Sequence, residues 1–197
     1  MNLAEIYVNL IRIAVIIIAI YKAYKKDYML ILPAIIVIVL SFLFLLLDII
    51  WGIKIDKVGS AIYYTILVMS IYLGGGFDFY NKYASWDRAI HFLSGVAFVS
   101  LGIALSNKEA NLSKFSILFF SLTLASFFHV IWETAEYIYD CIAHTDHQRW
   151  QKHHKKTVNH KPKSAIQSAG LVDTMNDTIV CMIGAILACI IWWFVLN

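Results

Sequence analysis

The residues best equipped for chemistry fall in three short segments. The richest is residues 129–140, His-Val-Ile-Trp-Glu-Thr-Ala-Glu-Tyr-Ile-Tyr-Asp. On a helix, His129, Glu133, Glu136 and Asp140 lie within about 60° of one another and form one ionisable stripe. Residues 86–95 carry Asp87 and His91 four apart, with Gly95 one turn deeper. Residues 170–177 carry Asp173 and Asp177, again four apart. That spacing stacks two side chains on one helical face, as a ligand pair or an acid–base pair requires. Six carboxylates within reach of one another repel unless protons or cations balance them. A divalent ion with His91 as nitrogen donor is one solution. Oxygen-rich ligation suits Mg²⁺ or Mn²⁺, and an imidazole admits Zn²⁺ or Fe²⁺. The other is a proton or ion path in which carboxylates and histidine exchange protons. Each residue also has a plainer reading: Asp87 can cap a helix, and a lone buried His can simply be hydrogen-bonded.

The elements that must position these residues are membrane helices. The chain is 60% hydrophobic with only two prolines, and its mean hydropathy is +0.71, far above a soluble domain. Continuous apolar runs exclude a β-barrel. Spans of about 17–25 residues are expected at roughly 3–24, 28–50, 58–76, 87–106, 115–141 and 171–196. The fold class is therefore all-α, a polytopic bundle of about six transmembrane helices in a single membrane domain, residues 1–197. The N-terminus lacks the basic start and cleavage site of a signal peptide, and no nucleic-acid module is present.

Lysine and arginine set the orientation. The first, third and fifth connections, with the helix start at Arg88, hold eleven of them; the second and fourth hold Lys54, Lys57, Lys108 and Lys114. The odd connections are therefore expected in the cytoplasm and both termini outside. All three motif segments then lie in one leaflet, within about 10 Å of its surface by helix rise.

Residues 142–170 form a long linker with His144, His147, His153, His154 and His160 among six basic residues. Its histidine spacing matches no zinc module, and it is expected to lie against anionic headgroups of the membrane lipids. Arg12 falls near mid-membrane, where it is expected to snorkel or to pair with an acid such as Asp48. Gly74-Gly75-Gly76 is expected to stop the third span, and Asp78 lies at its rim. Phe77, Phe79, Tyr80, Tyr83 and Trp86 form an interfacial belt. Gly184, Ala185 and Ala188 permit close helix packing. Cys141, Cys181 and Cys189 are expected as small buried residues.

The segment Trp86-Asp87-Arg88-Ala89-Ile90-His91-Phe92-x-x-Gly95 resembles a motif of the bacterial YjdF-like inner-membrane proteins. Trp132-Glu133-x-x-Glu136 resembles their Trp-Glu segment, and Asp173 to Asp177 with Gly184-Ala185 resembles their Asp-Thr-x-x-Asp…Gly-Ala segment. More distantly, the order of these motifs resembles the VanZ-like proteins linked to teicoplanin resistance, with Cys181 in place of their Asn. The resemblance covers residues 74–188 and implies a bacterial inner (cytoplasmic) membrane location.

The preferred reading is a metal-dependent membrane enzyme acting on a lipid-linked or phosphorylated substrate from the cytoplasmic side. His91, Glu133, Asp173 and Asp177 would hold the metal, with Glu136 or Asp87 as general base. The basic loop would supply phosphate contacts. A proton- or cation-coupled transporter or channel could use the same carboxylates, and a non-catalytic membrane partner could use them to hold helices together.

Overall fold

The computed structural model describes residues 3–106, 112–144, 148 and 168–196. The basic histidine-rich linker, with its expected headgroup contacts, otherwise lies outside the described residues. Among those residues the chain is helical, with six segments long and apolar enough to cross a membrane.

The first is α1, Leu3–Tyr24. The second is broken into α2, Ile31–Leu40, and α3, Leu43–Trp51, by a turn at Ser41 and Phe42. The third is α4, Lys57–Leu67, continued by a π-helix over Val68–Gly76. A short α5, Phe79–Lys82, precedes the long spans α6, Trp86–Ser106, α7, Lys114–Ala143, and α8, Ala169–Val195. Local chemistry sets several ends. Asp56 caps α4, its Oδ1 accepting from Gly59 N at 2.7 Å, and Ser113 caps α7, its Oγ accepting from Ser116 N at 3.1 Å. Gly52 closes α3 in the left-handed conformation.

Two apolar clusters organise these elements. Val15, Ala19, Ala34, Val37, Tyr64 and Tyr72 join the first three spans. Val99, Ile103, Leu118, Ala125, Ala185 and Ala188 join α6, α7 and α8. Helix α6 is central: 56% of its most apolar window is buried, against 11% in each of the first two spans. Those spans expose Ile13, Ile17, Ile20, Leu32, Ile35 and Val39, the surface a helix presents to acyl chains. Glycines let α6 approach its neighbours. A Cβ at Gly95 would lie 2.1 Å from Cys181 O, one at Gly184 2.1 Å from Phe92 O, and one at Gly102 2.5 Å from Ser121 Cα. This is small-residue packing of membrane helices, with backbone against backbone.

The structure corrects several sequence expectations. Arg12 makes no ion pair with Asp48; it donates to Ser41 and Asn9 and sits on the α2–α3 break. The third span ends at Gly76 as expected, but its last stretch, Val68–Gly76, winds as a π-helix. The absence of Cβ atoms there admits the Tyr80 ring against Gly74 and Leu30 against Gly76. Trp86 Nε1 also donates to Met69 O within that segment at 3.1 Å. Asp78 faces Asn81, which donates to its carboxylate at the start of α5. Of the aromatics expected as a belt, Phe77, Phe79, Tyr83 and Trp86 contact one another, and Tyr72 joins them through Phe77. Cys181 is buried, but Cys141 is exposed near the end of α7.

Candidate intramembrane histidine–carboxylate site

Helices α6, α7 and α8 each present a pair of polar side chains four residues apart: Asp87 and His91, His129 and Glu133, Asp173 and Asp177. Helix rise puts His91 about 8 Å from the start of α6, Asp177 about 12 Å from the start of α8 and Glu133 about 15 Å from the end of α7. All three pairs therefore lie toward the same end of the bundle.

The innermost groups are almost wholly enclosed. His91 is 4% exposed, His129 3%, Glu133 7% and Asp177 6%. Asp87, Glu136, Asp140 and Asp173 are half-buried and form an outer layer. At the centre is His91 Nε2, which lies 3.7 Å from Asp87 Oδ1, 3.8 Å from Glu133 Oε1 and 4.0 Å from Asp177 Oδ2. These separations are too long for direct hydrogen bonds. They do fit donors around a shared cation, because two donors on one ion with bonds of about 2.1 Å can stand no more than about 4.2 Å apart.

The charges need a partner. Glu133 Oε1 is buried with no hydrogen-bond partner. Among the described residues neither Glu133 nor Asp177 has a lysine or arginine at ion-pair distance. Thr174 hydrogen-bonds the Glu133 carboxylate, but a buried carboxylate with no cation beside it is costly unless a proton or an ion neutralises it.

His129 approaches from the far side. Its ring meets that of His91 edge to face, centroids 5.2 Å apart, and its Nε2 lies 3.8 Å from Glu133 Oε1. The same nitrogen is 3.0 Å from Thr178 Oγ1. Thr178 already donates its hydroxyl proton to Thr174 O at 2.7 Å, so its oxygen accepts from His129 and Nε2 carries the hydrogen. In this arrangement His129 offers no lone pair at Nε2, and ligation through that nitrogen would require release of Thr178.

Two compact groups of possible ligands result: Asp87 with His91 and Asp177, and His91 with His129 and Glu133. Sequence spacing named His91, Glu133 and Asp177 as ligands, and the fold brings them around one nitrogen. Asp87, expected as a base, lies at ligand range of His91. Asp173, expected as a ligand, is one turn nearer the helix start, half-buried and outside both groups. Glu136 is also half-buried in the outer layer. Asp140 accepts from Gln148 N at 3.0 Å, and the Gln148 side chain donates to Thr174 Oγ1 at 3.1 Å, linking the ends of α7 and α8. The part played by Thr178 was missed, and that of His129 only half seen. The available signal was His129 at position i−4 from Glu133; Thr178 had none, since its role depends on how α7 and α8 pack.

No curated protein and no solved structure matches the chain. Its membrane-spanning character is shared with a family described as predicted membrane protein, whose model matches from the first span to the last residue. With residues 6–197 covered, the chain belongs to that family, DUF2238.

Proposed function

We propose that this protein is an integral-membrane enzyme whose divalent metal ion is held between α6, α7 and α8. The single observation behind the reading is the orphaned Glu133 Oε1, buried beside a histidine nitrogen that three carboxylates surround at 3.7–4.0 Å. His91, Glu133 and Asp177 would hold the ion with Asp87 completing the set, and the mixed N/O donors suit Zn²⁺ or Mn²⁺, with Mg²⁺ a poorer match. Such an ion supplies Lewis-acid polarisation of a phosphoryl or carbonyl oxygen and an acidified water. Glu136, in the outer layer, is the general base; Asp173 lines the approach. His129 holds its orientation through Thr178.

The substrate is a lipid-linked or phosphorylated molecule reaching the site from the cytoplasmic leaflet, where the basic segment 142–170 would meet its phosphates. The resemblance of the three motifs to YjdF-like and VanZ-like proteins supports a bacterial inner-membrane setting. The test is release of inorganic phosphate from a phosphorylated lipid by the purified chain. Activity should disappear with chelator, return with one divalent ion and be absent in Glu133→Gln. Chelator-insensitive activity would refute the metal-dependent reading.

A second reading is favoured by the row His91, Glu133, His129 and Thr178, whose successive polar atoms are 3.0–3.8 Å apart. Such a row can relay protons. Proton flux in proteoliposomes that Glu133→Gln abolishes, in protein free of metal, would select it.

A further inference from the structure

Arg12 lies near the middle of α1, about 14 Å along the helix from Leu3. Its Nε donates to Ser41 Oγ at 3.0 Å, its Nη2 to Ser41 O at 3.0 Å and its Nη1 to Asn9 Oδ1 at 3.1 Å. Cζ sits 4.4 Å from the centre of the Phe42 ring and 5.6 Å from that of Tyr64. Every one of these contacts is to a neutral group, and among the described residues Arg12 makes no ion pair. The nearby carboxylate of Glu5 is taken by Lys57 at 3.0 Å. A guanidinium has five N–H donors; three are used, leaving one on each terminal nitrogen.

Arg12 borders a cavity of about 280 Å³ that Tyr64, Asn9, Ser60 and the paired Glu5 and Lys57 also line, with Val8 and Leu45 among its apolar walls. Tyr64 is 2% exposed, yet its hydroxyl is buried with no hydrogen-bond partner. A second cavity of about 510 Å³ shares Phe44, Leu45, Lys57 and Ser60 with the first and is lined further on by Lys54, Asp48 and Asp56. An uncompensated cation and an orphaned hydroxyl thus lie on one polar cavity between the first three spans. None of its lining residues belongs to the histidine–carboxylate site.

We propose that this cavity binds a phosphate-type oxyanion, carried by a lipid headgroup or free in solution. The remaining Arg12 N–H groups and the Tyr64 hydroxyl are its donors. The planar guanidinium fork suits phosphate oxygens, the Lys57–Glu5 pair cancels at the wall and leaves the positive charge of Arg12, and the apolar side of the cavity suits the start of an acyl chain. One negative charge balances Arg12 and one acceptor oxygen satisfies Tyr64, so a single ligand resolves both observations.

The test uses the full chain in detergent micelles, with thermal unfolding followed as phosphatidylglycerol is added, phosphatidylcholine as the control with no net charge, and inorganic phosphate as the soluble probe. Wild type should show a saturable rise in Tm with phosphatidylglycerol, or with phosphate if the ligand is free in solution. Arg12→Gln should weaken that response at least about tenfold, the effect of losing charge-assisted hydrogen bonds. Tyr64→Phe, which removes only a hydroxyl without a partner, should keep the fold and weaken the response several-fold. Exposed lysines also attract anionic lipid, so the comparison with Arg12→Gln carries the result. No saturable shift with either probe in wild type, or the same shift in both variants as in wild type, would overturn the proposal.

Discussion

Replacing Gly95 by alanine tests whether α6 and α8 must touch for the site to exist. The added Cβ would lie 2.1 Å from Cys181 O and 2.8 Å from Ala185 N, both backbone atoms that cannot rotate aside. Because Cβ contacts below 3.0 Å are essentially never seen, the helices must part by roughly 1 Å. His91 is one turn from Gly95 and Asp177 one turn from Cys181, so their 4.0 Å separation would open to about 5 Å. That exceeds the roughly 4.2 Å that an ion with bonds of about 2.1 Å can bridge. Overpacking typically costs about 1–3 kcal/mol, and the better helix propensity of alanine returns up to about 1 kcal/mol. The expected result is a folded protein, destabilised by about 0–3 kcal/mol, that has lost its metal. Gly184→Ala should behave alike, since its Cβ would meet Phe92 O at 2.1 Å. Gly75→Ala is the control, with only an ordinary contact at 3.9 Å. The assay is metal content together with thermal unfolding on the same preparations. If Gly95→Ala keeps wild-type metal content, the inferred coupling between helix contact and site is wrong.

Further predictions test other parts of the account. His91→Ala and Asp177→Asn should each strip the metal from folded protein, and the double variant should lose no more than either alone; additive losses by elemental analysis would indicate separate sites. Thr178→Ala frees the His129 ring and should weaken metal affinity about 10–100-fold without abolishing it, as loss of outer-shell support does; unchanged affinity in a chelator competition would remove His129 from the site. With native cysteines replaced, Lys25→Cys should be labelled only from the cytoplasm and Lys54→Cys only from outside, and labelling of both from one side would contradict the orientation. The hydrogen bond from Lys22 to Asp27, 2.9 Å long, holds the Asp27 carboxyl below its ordinary value. Its stabilisation is therefore present at neutral pH and lost as pH falls through that lowered value. An NMR titration should show the Asp27 midpoint rise in Lys22→Ala, and no rise would contradict it.

The spans were legible because apolar runs of membrane length leave little else to build. The pairs Asp87/His91 and Asp173/Asp177 were legible because a spacing of four fixes a helical face. Gly184 could be read for close packing, since membrane helices use small residues for contact. Other features depend on geometry between elements. The break at Ser41 lies in an unbroken apolar run, and Arg12, twenty-nine residues earlier, occupies it. The glycines mark the end of the third span at Gly76, but nothing in the sequence of Val68–Gly76 marks its π-helical winding. Whether Asp173 or Asp87 stands nearer His91 depends on how far α8 slides along α6, and the contacts of Gly95 with Cys181 and of Gly184 with Phe92 set that register. The order of residues within each helix does not.

The most direct measurement is the metal content of wild-type protein purified in detergent without chelators, by elemental analysis per folded chain. One divalent ion per chain is expected, lost in Glu133→Gln while that variant keeps its fold. Wild-type protein that is folded and carries no stoichiometric metal, and takes none up from Zn²⁺, Mn²⁺ or Mg²⁺, would contradict the metal centre.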